Sequence, residues 1–305
     1  MAMLRASSGT EYRKYLNPEV VSRLGRIDLV ARLVVEGLIT GLHRSPYHGF
    51  SAEFAEHRPY MPGDSVKNID WKAYAKSDRF YVKEFEEETN LKAYLLLDQS
   101  GSMGFASGGM SKLEYGQYLA ASLCHLLLRQ RDAVGLITYD SQIRRYLPPR
   151  SVQSYRHVIF QELANAQSGA ETDLAGVLHE VAERIHRRGL IVVLSDLMDD
   201  PDRLLAGLKH FRHRKHEVLV FHILDPRERD FAFGNRARFV GLETGEEIAT
   251  ESWHVARAYR ERMNAVIQKI QRGCREHLID YVGIDTSQDF DTALFAYLAK
   301  RKRMR

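Results

Sequence analysis

A chain of 305 residues, 44% hydrophobic and 28% charged with a net charge of +4, has the make-up of an ordinary globular protein and the length for two domains, or for one large domain with an appendage. No run reaches the ~18 uninterrupted apolar residues of a membrane span, and the N-terminus MAMLRASSGTEYRKYLNPEV lacks the apolar core of a signal peptide. Two distant cysteines, Cys124 and Cys274, exclude a disulfide framework and any CxxC metal knuckle, so a soluble cytoplasmic protein is expected, with Cys124 a small buried hydrophobe in AASLCHLLL.

Residues 20–42 read as a helix, with Leu24, Ile27, Val30, Val34 and Leu38 spaced for one face. Residues 45–90 are rich in aromatic, charged and turn residues. Pro62-Gly63-Asp64 marks a turn, and residues 80–85 mix the strand formers Phe80, Tyr81, Val82 and Phe85 with Lys83 and Glu84, as an edge strand does. So many aromatics exclude a flexible linker. Trp71, Tyr74, Phe80, Tyr81 and Phe85 read as packing onto the rest of the chain, with a second partner surface as the alternative. The chain divides near residue 90, into an N-terminal segment (1–90) and a larger domain (91–305).

In that larger domain, short apolar runs alternate with helical patterns. Strands are expected at residues 93–97, 133–139, 143–147, 190–194, 218–224 and 278–284. Helices are expected at 112–130, 152–166, 174–187, 201–213, 252–272 and 292–302. Continuous apolar strands alternating with helices imply an α/β fold: a doubly wound, mostly parallel sheet with helices on both faces, here preceded by a smaller helix-and-strand segment. In such sheets ligands sit outside the carboxyl ends of the strands. The segments DQSGSM and SDLMDD follow strands and GAETDL opens a helix, so all three can meet at one edge.

Asp98-Gln99-Ser100-Gly101-Ser102 has the pattern D-x-S-x-S. Alternation along an extended loop sends Asp98, Ser100 and Ser102 to one side, and Thr172 and Asp196 add a hydroxyl and a carboxylate from the other two segments. Oxygen-only donors suit a hard divalent cation, Mg²⁺ before Mn²⁺ or Ca²⁺. Gly101, Gly104 and Gly169 give these loops backbone freedom. Asp140 reads as a turn residue, and Asp199, Asp200 and Asp202 as caps of the helix that follows them.

These residues resemble the metal-ion-dependent adhesion site of von Willebrand factor A domains, over roughly residues 91–290. The resemblance implies direct metal contacts from Ser100, Ser102 and Thr172, action largely through water for Asp98 and Asp196, and a sixth position for water or a partner's carboxylate. The N-terminal half resembles the bacterial domain-of-unknown-function family 58. It does so through Ser45-Pro46, Gly49, Glu53-Phe54, Arg58, Tyr60, Pro62-Gly63-Asp64, Ile69-Asp70-Trp71, Val82-Lys83 and Phe85-Glu86-Glu87-Glu88. Ser65 departs from the family's common acidic residue, and Lys67 and Lys76 from its usual arginine. Relatives often accompany a MoxR-type AAA+ ATPase, which implies an adaptor or co-chaperone role.

The expected function is a non-enzymatic, metal-dependent protein–protein interaction module that takes an Asp or Glu from a protein partner, either a MoxR-type ATPase or its client. The alternative is a metal-dependent hydrolase or phosphatase using Asp98 and Asp196, although Ser100 stands where a D-x-D acid–base partner would sit. The basic tail, Lys300 to Arg305, reads as a solvated helix end rather than a nucleic-acid contact. His210, His213 and His216 read as a polar helix end rather than a zinc site.

Overall fold

The computed structural model describes residues 17–44, 57–59, 71, 74, 80–83, 91–169, 173–233, 236–240 and 247–304. Thr172 and, in the N-terminal segment, residues 45–54, 60–70 and 85–88 lie outside the described residues, and with them much of the family-58 pattern.

The N-terminal helical pattern folds as two pieces, α1 (Pro18–Ser22) and α2 (Ile27–Arg44). They part at Gly25, whose φ of +62° is open to a residue without a Cβ. β1 (His57–Pro59) and β2 (Tyr81–Lys83) pair antiparallel as a small separate sheet, so part of the expected edge strand forms and finds a partner that the sequence did not reveal.

The main sheet comprises β3 (Lys92–Asp98), β4 (Ala133–Tyr139), β5 (Ile143–Arg150), β6 (Leu190–Ser195), β7 (Glu217–Leu224) and β10 (Asp280–Asp285), in the order β10-β7-β6-β3-β4-β5. Every pairing is parallel except β4 with β5. The exception is an edge strand carrying Pro148 and Pro149, residues that lack the donor an interior strand needs. The doubly wound, mostly parallel expectation holds.

Burial alternates along the central strands and sorts the helices. Ala93, Leu95 and Leu97 of β3 belong to one core, with residues of α2, α3 (Lys112–Arg129), α4 (Tyr155–Asn165) and α9 (Phe290–Met304). Tyr94 and Leu96 belong to the other, with α5 (Leu174–Arg184), α6 (Pro201–His213) and α8 (Ser252–Glu276). A strand with both faces covered has to be apolar at every position, which is why β6 reads LIVVLS without alternation. Local signals start the helices. Ser111 and Glu114 form a reciprocal capping box on α3, and Asp200 caps α6 ahead of Pro201.

Between β7 and α8 the chain inserts a short helix, α7 (Pro226–Asp230), and an antiparallel hairpin, β8 (Arg236–Val240) with β9 (Glu247–Glu251). Neither was anticipated. Among the described residues no helix is long and apolar enough to cross a membrane.

The basic end of α9 is not a solvated terminus. Lys300 is buried between Glu217 at 2.6 Å and Asp280 at 2.8 Å, Arg301 is buried against Asp132, and Arg303 reaches Asp280 at 2.6 Å. These cations dock the last helix onto the amino ends of the strands. Nor do the histidines stay together: His210 pairs with Glu183 at 3.1 Å, while His216 is buried and accepts the Gly189 N–H at 3.2 Å. Both cysteines are buried free thiols.

The topology places the site. From β3 the chain winds outward through β4 to the β5 edge, then returns to the opposite side of β3 with β6. Strand order therefore reverses between β3 and β6, and a crevice opens at such a point outside the carboxyl ends.

Because α2 contributes Val30, Val34 and Leu38 to the same core as β3, Leu38→Ala is expected to lower unfolding stability by about 2–5 kcal/mol. Urea unfolding followed by both circular dichroism and tryptophan fluorescence should show that loss in a single transition. A separate early transition, with the main one unchanged, would contradict a shared core.

Candidate metal centre

β3 ends at Asp98 and β6 at Ser195, followed by Asp196, so the reversal of strand order brings the two acidic segments together. The Gln99 N–H donates to the Tyr139 carbonyl at 2.8 Å and prolongs the β3–β4 ladder past the strand end. The chain then tightens into a 3-10 turn, Gly101–Gly104, anchored by the fully buried Met103.

Asp98 is 2% exposed, and both of its oxygens are engaged. Oδ1 accepts the Ser100 N–H at 2.8 Å, and Oδ2 accepts the Ser195 hydroxyl at 2.6 Å. Burial and the nearby Asp196 carboxylate push its pKa up to about 7, against the pull of those two donors. The turn brings the Ser100 and Ser102 hydroxyls to 3.1 Å from each other. Ser100 is buried and Ser102 half-buried.

Asp196 is 1% exposed. Its Oδ2 receives the Lys112 ammonium at 2.7 Å, while Oδ1 accepts a long 3.4 Å bond from the Met198 N–H. The next residue, Leu197, is buried with φ +55°, a left-handed conformation that a β-carbon disfavours. It is held there by the Ser195 hydroxyl, which accepts the Leu197 N–H at 2.9 Å.

Thr172 lies outside the described residues, but the segment leading to it is tied to the D-x-S-x-S loop. The Gly169 N–H donates to the Gln99 carbonyl at 2.6 Å. A Cβ on Gly169 would fall 2.7 Å from Asp140 Oδ2, so glycine serves here for close approach rather than for a positive φ. Asp140 is a turn residue, accepting the Gln142 N–H at 3.2 Å and the Arg144 guanidinium at 2.6 Å. Asp200 caps α6 as expected, but Asp199 accepts the Ala175 N–H at 3.1 Å and so joins α6 to the start of α5, and Asp202 pairs with Lys269 at 2.7 Å.

Sequence reasoning missed Lys112. It occupies the first position of α3, where the helix dipole disfavours a cation, yet its side chain is fully buried. Its second carboxylate is Glu228 of α7, at 2.6 Å, and the Phe105 ring lies 5.9 Å from the ammonium. Burial works against the charge, but Asp196 and Glu228 outweigh it and hold the pKa above the ordinary lysine value. That misfit with the dipole was the available signal. His222, buried on β7, has its pKa pushed down to about 4 by burial and is neutral at pH 7; its Nδ1 lies 2.5 Å from the Tyr281 hydroxyl.

The donors suit a hard divalent cation. Adjacent corners of an octahedron with metal–oxygen bonds near 2.1 Å lie about 3 Å apart. The Ser100 and Ser102 hydroxyls have that separation. The buried Tyr139 hydroxyl lies beside Asp98, Ser195 and Asp196, and burial raises its pKa well above the ordinary tyrosine value.

Residues 56–272 match the family described as "Protein of unknown function DUF58". An uncharacterized protein of Mycobacterium tuberculosis, Rv1480, is 24% identical over 298 residues, covering 94% of this chain and 91% of its own. YeaD of Bacillus subtilis, also uncharacterized, is 26% identical over 159 residues, covering 51% of this chain and 38% of its own. Among solved structures, the conserved hypothetical protein BatB from Bacteroides thetaiotaomicron is similar at 18% identity and a TM-score of 0.48, with 70% of this chain and 98% of that one covered.

Ser195→Ala would leave a buried Asp98 oxygen and the Leu197 N–H without their partner, and is expected to cost about 1–3 kcal/mol of stability in EDTA. Chemical denaturation of the two proteins checks this; equal midpoints and slopes would contradict the role given to Ser195.

Proposed function

The chain belongs to the DUF58 family and has a doubly wound, mostly parallel α/β sheet, and from that premise we propose that its fold is von Willebrand factor A-like and that it is a non-enzymatic protein–protein interaction module. Its site at the carboxyl edge grips an Asp or Glu of a partner through a divalent cation, Mg²⁺ before Mn²⁺ or Ca²⁺. The partner class proposed is a MoxR-type AAA+ ATPase or its client, with this chain as adaptor or co-chaperone, acting in the cytoplasm. Residues 1–90 are proposed as a family-specific segment ahead of the von Willebrand factor A-like domain of residues 91–305.

The observation that carries the reading is the pair of hydroxyls, Ser100 and Ser102, 3.1 Å apart beside a buried carboxylate. Two neutral donors next to a restrained Asp98 leave a bound cation electrophilic enough to take an outside carboxylate. Ser100 and Ser102, with Thr172, would bind it directly. By the resemblance to the metal-ion-dependent adhesion site Asp98 would act largely through water, its orientation set by the Ser100 N–H and the Ser195 hydroxyl. The same resemblance implies the same role for Asp196, whose Oδ2 is held by Lys112.

The same restraint weighs against the hydrolase alternative. A nucleophilic carboxylate has to face its substrate, and Asp98 is 2% exposed and held in orientation by the Ser100 N–H and the Ser195 hydroxyl.

Binding of the purified chain to the MoxR-type ATPase of its own organism, measured by biolayer interferometry, tests the proposal. With Mg²⁺ present the affinity is expected to fall at least roughly tenfold on adding EDTA, and equally for Asp98→Ala, as loss of a shared metal–carboxylate contact requires. Unchanged affinity in both arms would contradict the metal-bridged reading, and no binding at all would contradict the proposed partner. Turnover of phosphate esters with Mg²⁺ or Mn²⁺, lost in Asp98→Asn, would favour the hydrolase.

A further inference from the structure

The metal-bridging reading makes no use of the Lys112 charge, yet the structure invests heavily in it. A lysine at the first position of a helix ordinarily turns out to solvent. Here Nζ runs inward to Asp196 Oδ2 and Glu228 Oε2, and neither carboxylate is freely solvated. A buried ammonium persists only where carboxylates offset its lost hydration.

The second carboxylate is itself held in register with the D-x-S-x-S loop. Asp225, which begins the turn into α7, accepts the Ser107 N–H at 2.8 Å and the Ser107 hydroxyl at 2.5 Å. The segment from Phe105 to Lys112 and the segment from Asp225 to Glu228 are thus joined twice, once by Ser107 and once by Lys112. The ammonium is therefore fixed in place.

Resting on the metal reading above, we infer that Lys112 is a resident cation that competes with the divalent ion for the charge of Asp196. It thereby keeps the ion's affinity low until a partner's carboxylate joins the site. Asp196 and the part-buried Glu228 both contact the Lys112 ammonium, which neutralises part of their charge before any ion arrives. A fixed positive charge in the same water-poor region also repels a second cation more strongly than it would in solvent. An incoming Asp or Glu adds negative charge on the other side of the ion and offsets that repulsion.

Mn²⁺ titration of the EDTA-stripped full chain, with free Mn²⁺ followed by electron paramagnetic resonance, tests this in the wild type, in Lys112→Met and in the double variant Lys112→Met/Glu228→Gln. Methionine keeps the length of the side chain. The double variant removes the ion pair as a unit and leaves a single unpaired carboxylate, so it serves where the single variant is too unstable. Both are expected to bind Mn²⁺ roughly tenfold or more tightly than the wild type, and adding Ser102→Ala should abolish the gain. Wild-type binding with equal or weaker binding in both variants would overturn the role of Lys112 and leave the proposed function standing. Binding by the variants alone would uphold that role, as it is the outcome of complete competition by Lys112 in the absence of a partner's carboxylate. No binding by any chain would overturn both.

Discussion

Asp98 and Asp196 come together inside the protein because strand order reverses between β3 and β6, and the rest of the edge is arranged around their charge. Two buried carboxylates in proximity are costly unless donors or cations compensate them. Asp98 is satisfied by the Ser100 N–H and the Ser195 hydroxyl, Asp196 by the Lys112 ammonium. Each contact also fixes a loop. The first shapes the D-x-S-x-S turn, the second steadies the left-handed Leu197, and the third ties the start of α3 to the segment after β6. Electrostatic compensation and loop geometry are thus one arrangement, and the pair of serine hydroxyls is positioned as its result.

The opposite end of the sheet uses charge differently. There Lys300, Arg301 and Arg303 meet Glu217, Asp132 and Asp280 and dock α9 beside the N-terminal helix α2. These pairs are structural, and they remove much of the basic tail from any reading as a nucleic-acid contact. α2 and α9 therefore support the face of the sheet that α3 also covers. α3 in turn carries Lys112 at its first position and joins the core to the carboxyl edge of the sheet.

Much of this was legible in the sequence because it depends on period and order. Continuous apolar runs such as LIVVLS admit only a doubly covered strand, and D-x-S-x-S after such a run places Asp98, Ser100 and Ser102 at a strand end. What escaped depends on contacts between residues far apart in the chain. Lys112 and Glu228 are separated by 116 positions, and nothing local marks the lysine as buried except its misfit with the helix dipole. The α9 cations look like a solvated end until Glu217, Asp132 and Asp280 are seen beneath them. The β8–β9 hairpin escaped because its strands are short and follow a proline-led turn. The glycines were read for backbone freedom, whereas Gly169 is required by the approach of Asp140.

The central claim is that this edge holds a divalent cation through the paired hydroxyls. Anomalous diffraction at the manganese edge, from crystals grown with Mn²⁺, tests it most directly. The account predicts a peak in bonding contact with the Ser100 and Ser102 hydroxyls, with Asp98 still hydrogen-bonded to Ser195 and Lys112 still on Asp196. An edge without a peak under saturating Mn²⁺, or an ion held by other residues, would contradict it.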